Sequence, residues 1–393
     1  MSMAVKHKQA VVVLGGNCPI DLMLAGIATF LLVYGLVMVG SASLEVGVAT
    51  HGDAFHLINR HIFYLGIGAI AAVLTLVIPI SIWQRCDLWL LALSFLLLSI
   101  VLVPGLGREV NGSTRWIPIG PFGLQGSEFA KLFLLVYVAA YLVRRKEDIE
   151  TSFFAFVKPL LILTVISLLL LAQPDFGAAV VIVGASIGMI FLAGVPNRYF
   201  LPVVAISISA VSILATLEPY RLARLTAFAN PWENQFGSGY QLTQALIAFG
   251  RGEWFGLGLG NSIQKLFFLP EAHTDFLFSI IAEELGVIGA GLIIVLFACL
   301  VLRGLAIGLE AKQKGLNFHA HLAFGIAMIL GLQASINLGV NLGILPTKGL
   351  TLPLMSYGGN SLIVSCIMVA ILLRVDFEAR QVQVEKSRGD AYG

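Results

Sequence analysis

Long runs without Asp, Glu, Lys or Arg dominate the chain, and each is set off by a short polar stretch. A membrane-crossing helix needs about 20 apolar residues. Leu22–Leu44, His61–Gln84, Leu88–Gly107, Phe176–Asn197, Tyr199–Leu217, Leu285–Leu302 and Gly349–Leu373 each suit one span. The run Gly315–Thr347 holds another, starting near His319, and Pro159–Pro174 makes one when it begins near Phe153. Leu132–Val143 is too short alone; begun near Gly126, it spans but carries Glu128 and Lys131 into or beside the membrane. The pattern therefore predicts an all-α polytopic membrane protein of about ten transmembrane helices with both termini on one side. A long loop lies between helices 7 and 8.

Composition agrees. Of 393 residues, 58% are hydrophobic and only 12% charged, where a soluble domain has roughly 25% charged. Mean hydropathy is +0.92. This excludes a nucleic-acid binder built on a basic surface, and a net charge of +2 says nothing about partners. Cys18, Cys86, Cys299 and Cys366 are too scattered for a disulfide framework or a zinc cluster. With the N-terminus cytoplasmic, the inside collects 15 of the 24 Lys and Arg residues and the outside 9, the bias expected of inner loops. The chain reads as one domain, residues 19–375, between cytoplasmic tails at 1–18 and 376–393. The first span is too long for a cleaved signal peptide, although Ser41-Ala42-Ser43 mimics a cleavage site.

Three outer segments run against the charge bias. Arg108–Gln125 leads into Glu128 and Lys131, which are three apart and share a helix face. Charges at that depth are costly unless they pair or face a polar cavity, so an ion pair locking helix 4 and a substrate role stand level. Trp116 reads as an interfacial anchor, and Arg115 suits a phosphate. Glu218–Thr274 is long for a loop and contains Arg221, Arg224 and the glycine run Gly250–Gly260. No Gly-Lys-Ser/Thr follows that run, which excludes a nucleotide loop. Gln241–Phe249 has helical spacing and suits the membrane surface. The loop ends in Pro270-Glu-Ala-His-Thr-Asp275, with Glu283 and Glu284 following. Asp275 at a helix N-terminus could be a cap alone, but Glu271, His273 and the later carboxylates, with Glu283 on roughly the same face, read as a functional site. In Asn337–Ser361, Lys348 sits between prolines and glycines that hold the backbone, placed for a phosphate or pyrophosphate. His51, Asp53 and His56 read as a solvated loop, since their spacing matches no strong metal motif.

Together these motifs resemble the SEDS family (shape, elongation, division and sporulation proteins). Asn337–Ser361, ending in Ser356-Tyr-Gly-Gly, looks like its long signature; Arg115-Trp116, Ser127-Glu128…Lys131, Gln173-Pro-Asp-Phe-Gly177 and Pro270–Asp275 are further landmarks in order. The likeness covers residues 18–375, and Gly237–Leu242 and Gly252–Lys265 are similar to the division branch. Gly126 departs from the proline of many relatives. The resemblance implies a peptidoglycan glycosyltransferase polymerising lipid II at the division septum, in the inner membrane with a periplasmic active site. Asp275 matches the family's essential Asp. Implied partners are a class B penicillin-binding transpeptidase (FtsI type) and small bitopic division proteins (FtsQ, FtsL and FtsB type).

That reaction inverts an α-linked donor to a β-1,4 product, so one carboxylate can act as general base with no covalent intermediate. Asp275 takes that role. The departing diphosphate calls for cations, for which Arg115, Lys131, Arg221, Arg224 and Lys348 are candidates, or for a divalent cation such as Mg or Mn. No nucleotide or organic cofactor is expected. Glu128, His273, Glu283 and Ser356 complete the candidate substrate-binding set. A lipid II flippase and a non-catalytic scaffold that recruits the transpeptidase are the rival readings.

Overall fold

The computed structural model describes residues 20–110, 113–120, 122–151, 153–217 and 219–392, without the side chains of 110, 119, 122, 150, 151, 153–155, 215, 217, 219–221 and 383–392. Helices dominate. In chain order they are α1 (Leu22–His51), α2 (His56–Val77), α3 (Ile80–Arg85), α4 (Asp87–Ile100), α5 (Gly126–Arg144), α6 (Lys146–Thr151) and α7 (Phe153–Ala172). There follow α8 (Phe176–Leu192), α9 (Asn197–Leu217), α10 (Pro219–Ala229), α11 (Tyr240–Gly252), α12 (Leu277–Gln313), α13 (Asn317–Asn341) and α14 (Gly359–Tyr392). Among the described residues six helices (α1, α2, α5, α9, α12 and α13) are long and apolar enough to cross a membrane, while α4, the described part of α7, and α8 are shorter apolar helices. The N-terminal tail, including Cys18, lies outside the described residues, whereas the expected C-terminal tail continues α14 to Tyr392.

Burial sorts the helices into layers. In α5 and α13 most positions are buried, whereas the apolar window of α9 has none buried. A helix that is apolar all round and buried belongs to the core of a bundle. Accordingly α5 and α13 form the centre, α12 packs along α13, α2 along α14 and α4 along α5. Leucines, isoleucines and phenylalanines such as Phe30, Ile70, Leu168 and Ile206 point outward, as lipid-facing positions do. Capping follows local rules: the Asp21 and Asp175 carboxylates accept from the Leu24 and Ala178 N–H groups at the starts of α1 and α8.

Two outer regions differ from the loops expected. Arg108–Gln125 is a three-stranded antiparallel sheet, β1 (Arg108–Val110), β2 (Ser113–Ile119) and β3 (Phe122–Gln125). Trp116 stands opposite Gln125 in it. The expected span Leu88–Gly107 is correspondingly shorter, because the chain leaves the helix at Ile100. The stretch Glu218–Thr274 contains α10 and α11, so it is not structureless; the amphipathic spacing of Gln241–Phe249 is realised in α11.

The outer end of α12 is broken at Gly286, whose φ of 68° and ψ of −168° are non-helical. A break inside a span frees backbone groups that must find partners. Here Leu257 and Gly258 donate to the carbonyls of Glu283 and Glu284, while Val287 and Ile288 donate to those of Glu253 and Trp254. The loop after α11 thus replaces the lost helical bonds. A Cβ at Gly286 would lie 2.4 Å from the Trp254 carbonyl oxygen, so both the positive φ and the close approach demand glycine.

Candidate functional site

Asp275 lies in a tight turn just before α12. Its N–H donates to the Glu271 carbonyl, and Asn337 and Asn341 of α13 both donate side-chain amides to the Asp275 carbonyl, at 2.8 and 3.0 Å. Asn341 Oδ1 also accepts from the Ser279 N–H and hydroxyl. The two asparagines, four apart on one face, clamp the backbone of Asp275 without touching its carboxylate. They also correct the capping expectation: the residue flanking α12 is Phe276, with no side-chain cap.

The Asp275 carboxylate faces the loop after α13. A Cβ on Gly349 would sit 3.1 Å from Oδ2, so glycine is what lets that loop pass. Part of the residue's surface remains open, while protein atoms crowd the carboxylate from most sides. That enclosure pushes its pKa up to about 7, Glu271 pushes the same way, and the cations Arg115 and Arg224 pull against it. A carboxyl poised near neutrality suits proton abstraction. His273, two residues earlier, is held below the usual imidazole range by burial, Glu271 opposing. Its carbonyl accepts from the Tyr357 N–H, and its ring packs against Tyr357 with centroids 5.4 Å apart.

The cations come from three separate elements. Arg115 on β2 donates to the carbonyls of Gln173 and Pro174, at 3.2 and 2.5 Å, and stands 3.9 Å from the Asp175 carboxylate. Arg224 on α10 donates to the Thr347 carbonyl at 3.3 Å. Lys348 lies over the Phe176 ring, 4.2 Å from its centroid. The Gln173–Phe176 turn and the 347–349 loop therefore carry the cations toward one face near Asp275. The side chain of Arg221 lies outside the described residues.

Other expected site residues stand elsewhere. Glu128 and Lys131 pair at 2.8 Å, with Lys131 also donating to Gln333 Oε1 at 2.7 Å; both are buried. Ser356 accepts from the Leu352 N–H and braces its own loop. Glu283 does not share a face with Asp275, because Asp275 precedes the helix. Its carboxylate instead accepts from the Ser262 hydroxyl and the N–H groups of Ile263 and Gln264, with Arg251 at 3.4 Å. Glu284 binds Lys265 and Ser41, at 2.8 and 2.7 Å. The two glutamates anchor the 253–266 loop at the α12 break. Sequence reasoning named Gln173, Asn337 and Tyr357 only as parts of family landmarks and gave no site role to them, to Asn341 or to Gly349. Two asparagines at helical spacing inside an apolar span were a usable signal. Among the described residues, no group of three His, Cys, Asp or Glu side chains is arranged to hold a metal.

Comparison with known proteins follows this geometry. A family model described as cell cycle protein, covering FtsW, RodA and SpoVE, matches residues 21–381. A protein of Hahella chejuensis named "Probable peptidoglycan glycosyltransferase FtsW" is 53% identical over 360 residues, 92% of this chain and 91% of that protein. One of the same name from Legionella pneumophila is 51% identical over 92% of this chain and 91% of its own length. Among solved structures, a peptidoglycan synthase complex described for its structural coordination of polymerization and crosslinking matches with a TM-score of 0.73. That match has 30% identity and covers 92% of this chain and 99% of the other. The rod shape determining protein RodA of Thermus thermophilus matches with a TM-score of 0.66 and 29% identity, over 91% of this chain and 96% of that one.

Proposed function

The chain belongs to the FtsW/RodA/SpoVE (SEDS) family of cell cycle proteins, and from that premise we propose how it works as a peptidoglycan glycosyltransferase of the FtsW type. It polymerises lipid II into glycan strands at the division septum. Ten helices cross the inner membrane, the six long spans joined by α4, α7, α8 and the first part of α14. Both termini are cytoplasmic, and Asp275 faces the periplasm.

The observation that carries this reading is the Asp275 carboxylate. It is held by its backbone, has no hydrogen bond to its carboxylate oxygens among the described residues, and is flanked by Arg115 and Arg224. Asp275 takes the proton of the acceptor GlcNAc 4-hydroxyl as that oxygen attacks the donor's anomeric carbon. The anomeric C–O bond breaks, and its electrons leave on the undecaprenyl diphosphate. Arg115, Arg224 and Lys348 meet that charge; preorganised cations in a site with little water act most strongly where charge develops. A Mg or Mn ion, where one takes part, would come in bound to the diphosphate oxygens, which are hard ligands that such ions prefer. Glu128 and Lys131 neutralise each other and brace the fold, so neither carries substrate.

The transpeptidase of class B type, with small bitopic division proteins, is proposed as partner on the strength of family membership and of the synthase complex this chain resembles. A flippase would need unspent charges through the membrane depth, and the Glu128–Lys131 pair is spent. A scaffold leaves the Asp275 cluster without a task. The test is glycan formation from purified lipid II, using the chain reconstituted with a transpeptidase whose own active site is blocked. Polymer from the wild type and none from Asp275→Asn supports the proposal. Undiminished polymer from Asp275→Asn overturns the base assignment, and lipid II movement across vesicles without polymerisation overturns the reaction.

A further inference from the structure

At the opposite end of the bundle from Asp275, a cavity of about 40 Å3 is lined by Lys146, Ala193, Val195, Lys312, Asn317 and His321, among others. This is the side that the loop charges make cytoplasmic. Taking about 10–15 Å3 for each water-sized group, the cavity holds roughly three, the scale of the oxygens of one phosphate.

Its walls are largely apolar, and the two charged side chains among them, Lys146 and Lys312, are both cationic. His321 is 93% buried, being 7% exposed, and its Nδ1 has no hydrogen-bond partner among the described residues. The His321 ring lines the cavity, while its Nδ1 is sealed away from water-sized groups, so an occupant would meet the rest of the ring, a buried polar group that favours a polar neighbour. Lys146 and Lys312 both act electrostatically on that ring. The Lys312 ammonium makes one hydrogen bond, to the Leu192 carbonyl at 3.1 Å, leaving two of its donors. Lys146 has none among the described residues. The N-terminus of α13 opens on the same spot with no side-chain cap, and its first-turn N–H groups favour an anion. Two cations, an uncapped helix start and a buried imidazole thus converge. The neighbouring acid Asp148 is tied up with Arg145 at 2.7 Å.

Beside the cavity the surface is apolar and outward. Phe191, 52% exposed, packs against Phe200 with centroids 4.9 Å apart, two residues before Ala193. A phosphate bound here would therefore project its substituents along a greasy helix edge. We propose that this cavity binds the phosphodiester headgroup of an anionic phospholipid of the inner leaflet. The phosphate is held by Lys146, Lys312, His321 and the start of α13, with acyl chains along Phe191 and Phe200. Basic pockets between helices on the cytoplasmic side are suited to such headgroups. The site stands apart from Asp275 and is independent of the glycosyltransferase reading.

The test is thermal shift of the full chain in neutral detergent, titrated separately with phosphatidylglycerol, phosphatidylcholine and inorganic phosphate. Wild type, Lys146→Gln, Lys312→Gln and the double variant are compared, with Arg85→Gln as a basic control on another loop of the same side. Selective stabilisation by phosphatidylglycerol is expected, weakened about five-fold by each lysine change and about 25-fold by both, and unchanged in the control. His321→Asn, which keeps a polar side chain, tests the imidazole contact without emptying the core and should weaken binding as well. Equal stabilisation by inorganic phosphate would reassign the site to a soluble anion and overturn the lipid assignment. Equal stabilisation by phosphatidylcholine, or an undiminished response in the double variant, overturns the site itself.

Discussion

Replacing Asp275 with Asn should abolish polymerisation and, at the same time, make the protein more stable above neutral pH. The carboxyl is displaced from 3.8 to about 7, and that displacement corresponds to about 4 kcal/mol against the folded state when the group is fully ionised. Its open side admits water, which screens part of this, so about 1–3 kcal/mol is the expected gain. The sign follows from proton counting. The folded pKa exceeds the unfolded one, so between pH 3.8 and about 7 the folded chain binds a proton that the unfolded chain has released. Wild-type stability therefore falls as pH rises through that window and stays low above it. The Asp275→Asn variant lacks this dependence. Thermal melts of both proteins in one detergent should nearly coincide near pH 4 and separate by a few degrees near pH 8, with the variant higher. A variant that melts lower than wild type at about pH 8 would show that the ionised carboxylate stabilises the fold. Asp275 would then be a structural ion-pair member, and the argument from its poised carboxyl would fail.

Four further outcomes follow from the same geometry. Polymerisation by the wild type should rise with pH through about 7 as Asp275 ionises; a rate flat from about pH 5.5 to 8.5 contradicts the base role. Gly349→Ala should cut turnover by tenfold or more with little loss of fold, because the new methyl meets Asp275 Oδ2 at 3.1 Å; unchanged single-turnover rates would sink it. Lys131→Met should cost about 3–5 kcal/mol by leaving the buried Glu128 carboxylate unpaired, with the paired change Glu128→Gln, Lys131→Met recovering much of it in chemical denaturation. Gly286→Ala should yield little folded protein by size-exclusion chromatography, since its Cβ would collide with the backbone of Trp254 and Gly256.

The apolar runs locate the helices well, because a bilayer asks for length and composition before anything else. What they miss has a physical reason. The sheet at Arg108–Gln125 consists of strands of three to seven residues, too short, and too closely separated in the sequence by Gly112 and Gly120-Pro121, for alternation to register. The break at Gly286 is invisible because it sits in an apolar run and is compensated by backbone bonds from residues distant in sequence. Asp275, Arg115, Arg224 and Lys348 were legible as charges on one outer face. Glu283 was misread because helical spacing was extended back across a turn that is not helical. Its real partners, Ser262 and the backbone of Ile263 and Gln264, come from a loop whose path no local pattern dictates.

The buried pair at Glu128 and Lys131 ties the two levels together. Lys131 donates to Gln333 Oε1, and the same Gln333 amide donates to the Thr351 carbonyl at 3.0 Å and lies 3.4 Å from the Ser361 hydroxyl. Thr351 and Ser361 bond each other at 3.0 Å. One turn along α13, Asn337 bonds the Leu350 carbonyl and the Asp275 carbonyl with a single amide. The loop that carries Lys348 and Gly349 is thus held at Leu350 and Thr351 by two side chains of α13, one of them fixed by a charge from α5. An amide has two rotational states, and the Lys131 ammonium selects the one that presents its N–H group to the loop. A buried charge well inside the bundle therefore sets the position of backbone beside the Asp275 carboxylate. That placement, paired with Glu128 and bonded to Gln333 in the core, gives it the geometry of a brace for the loop beside Asp275.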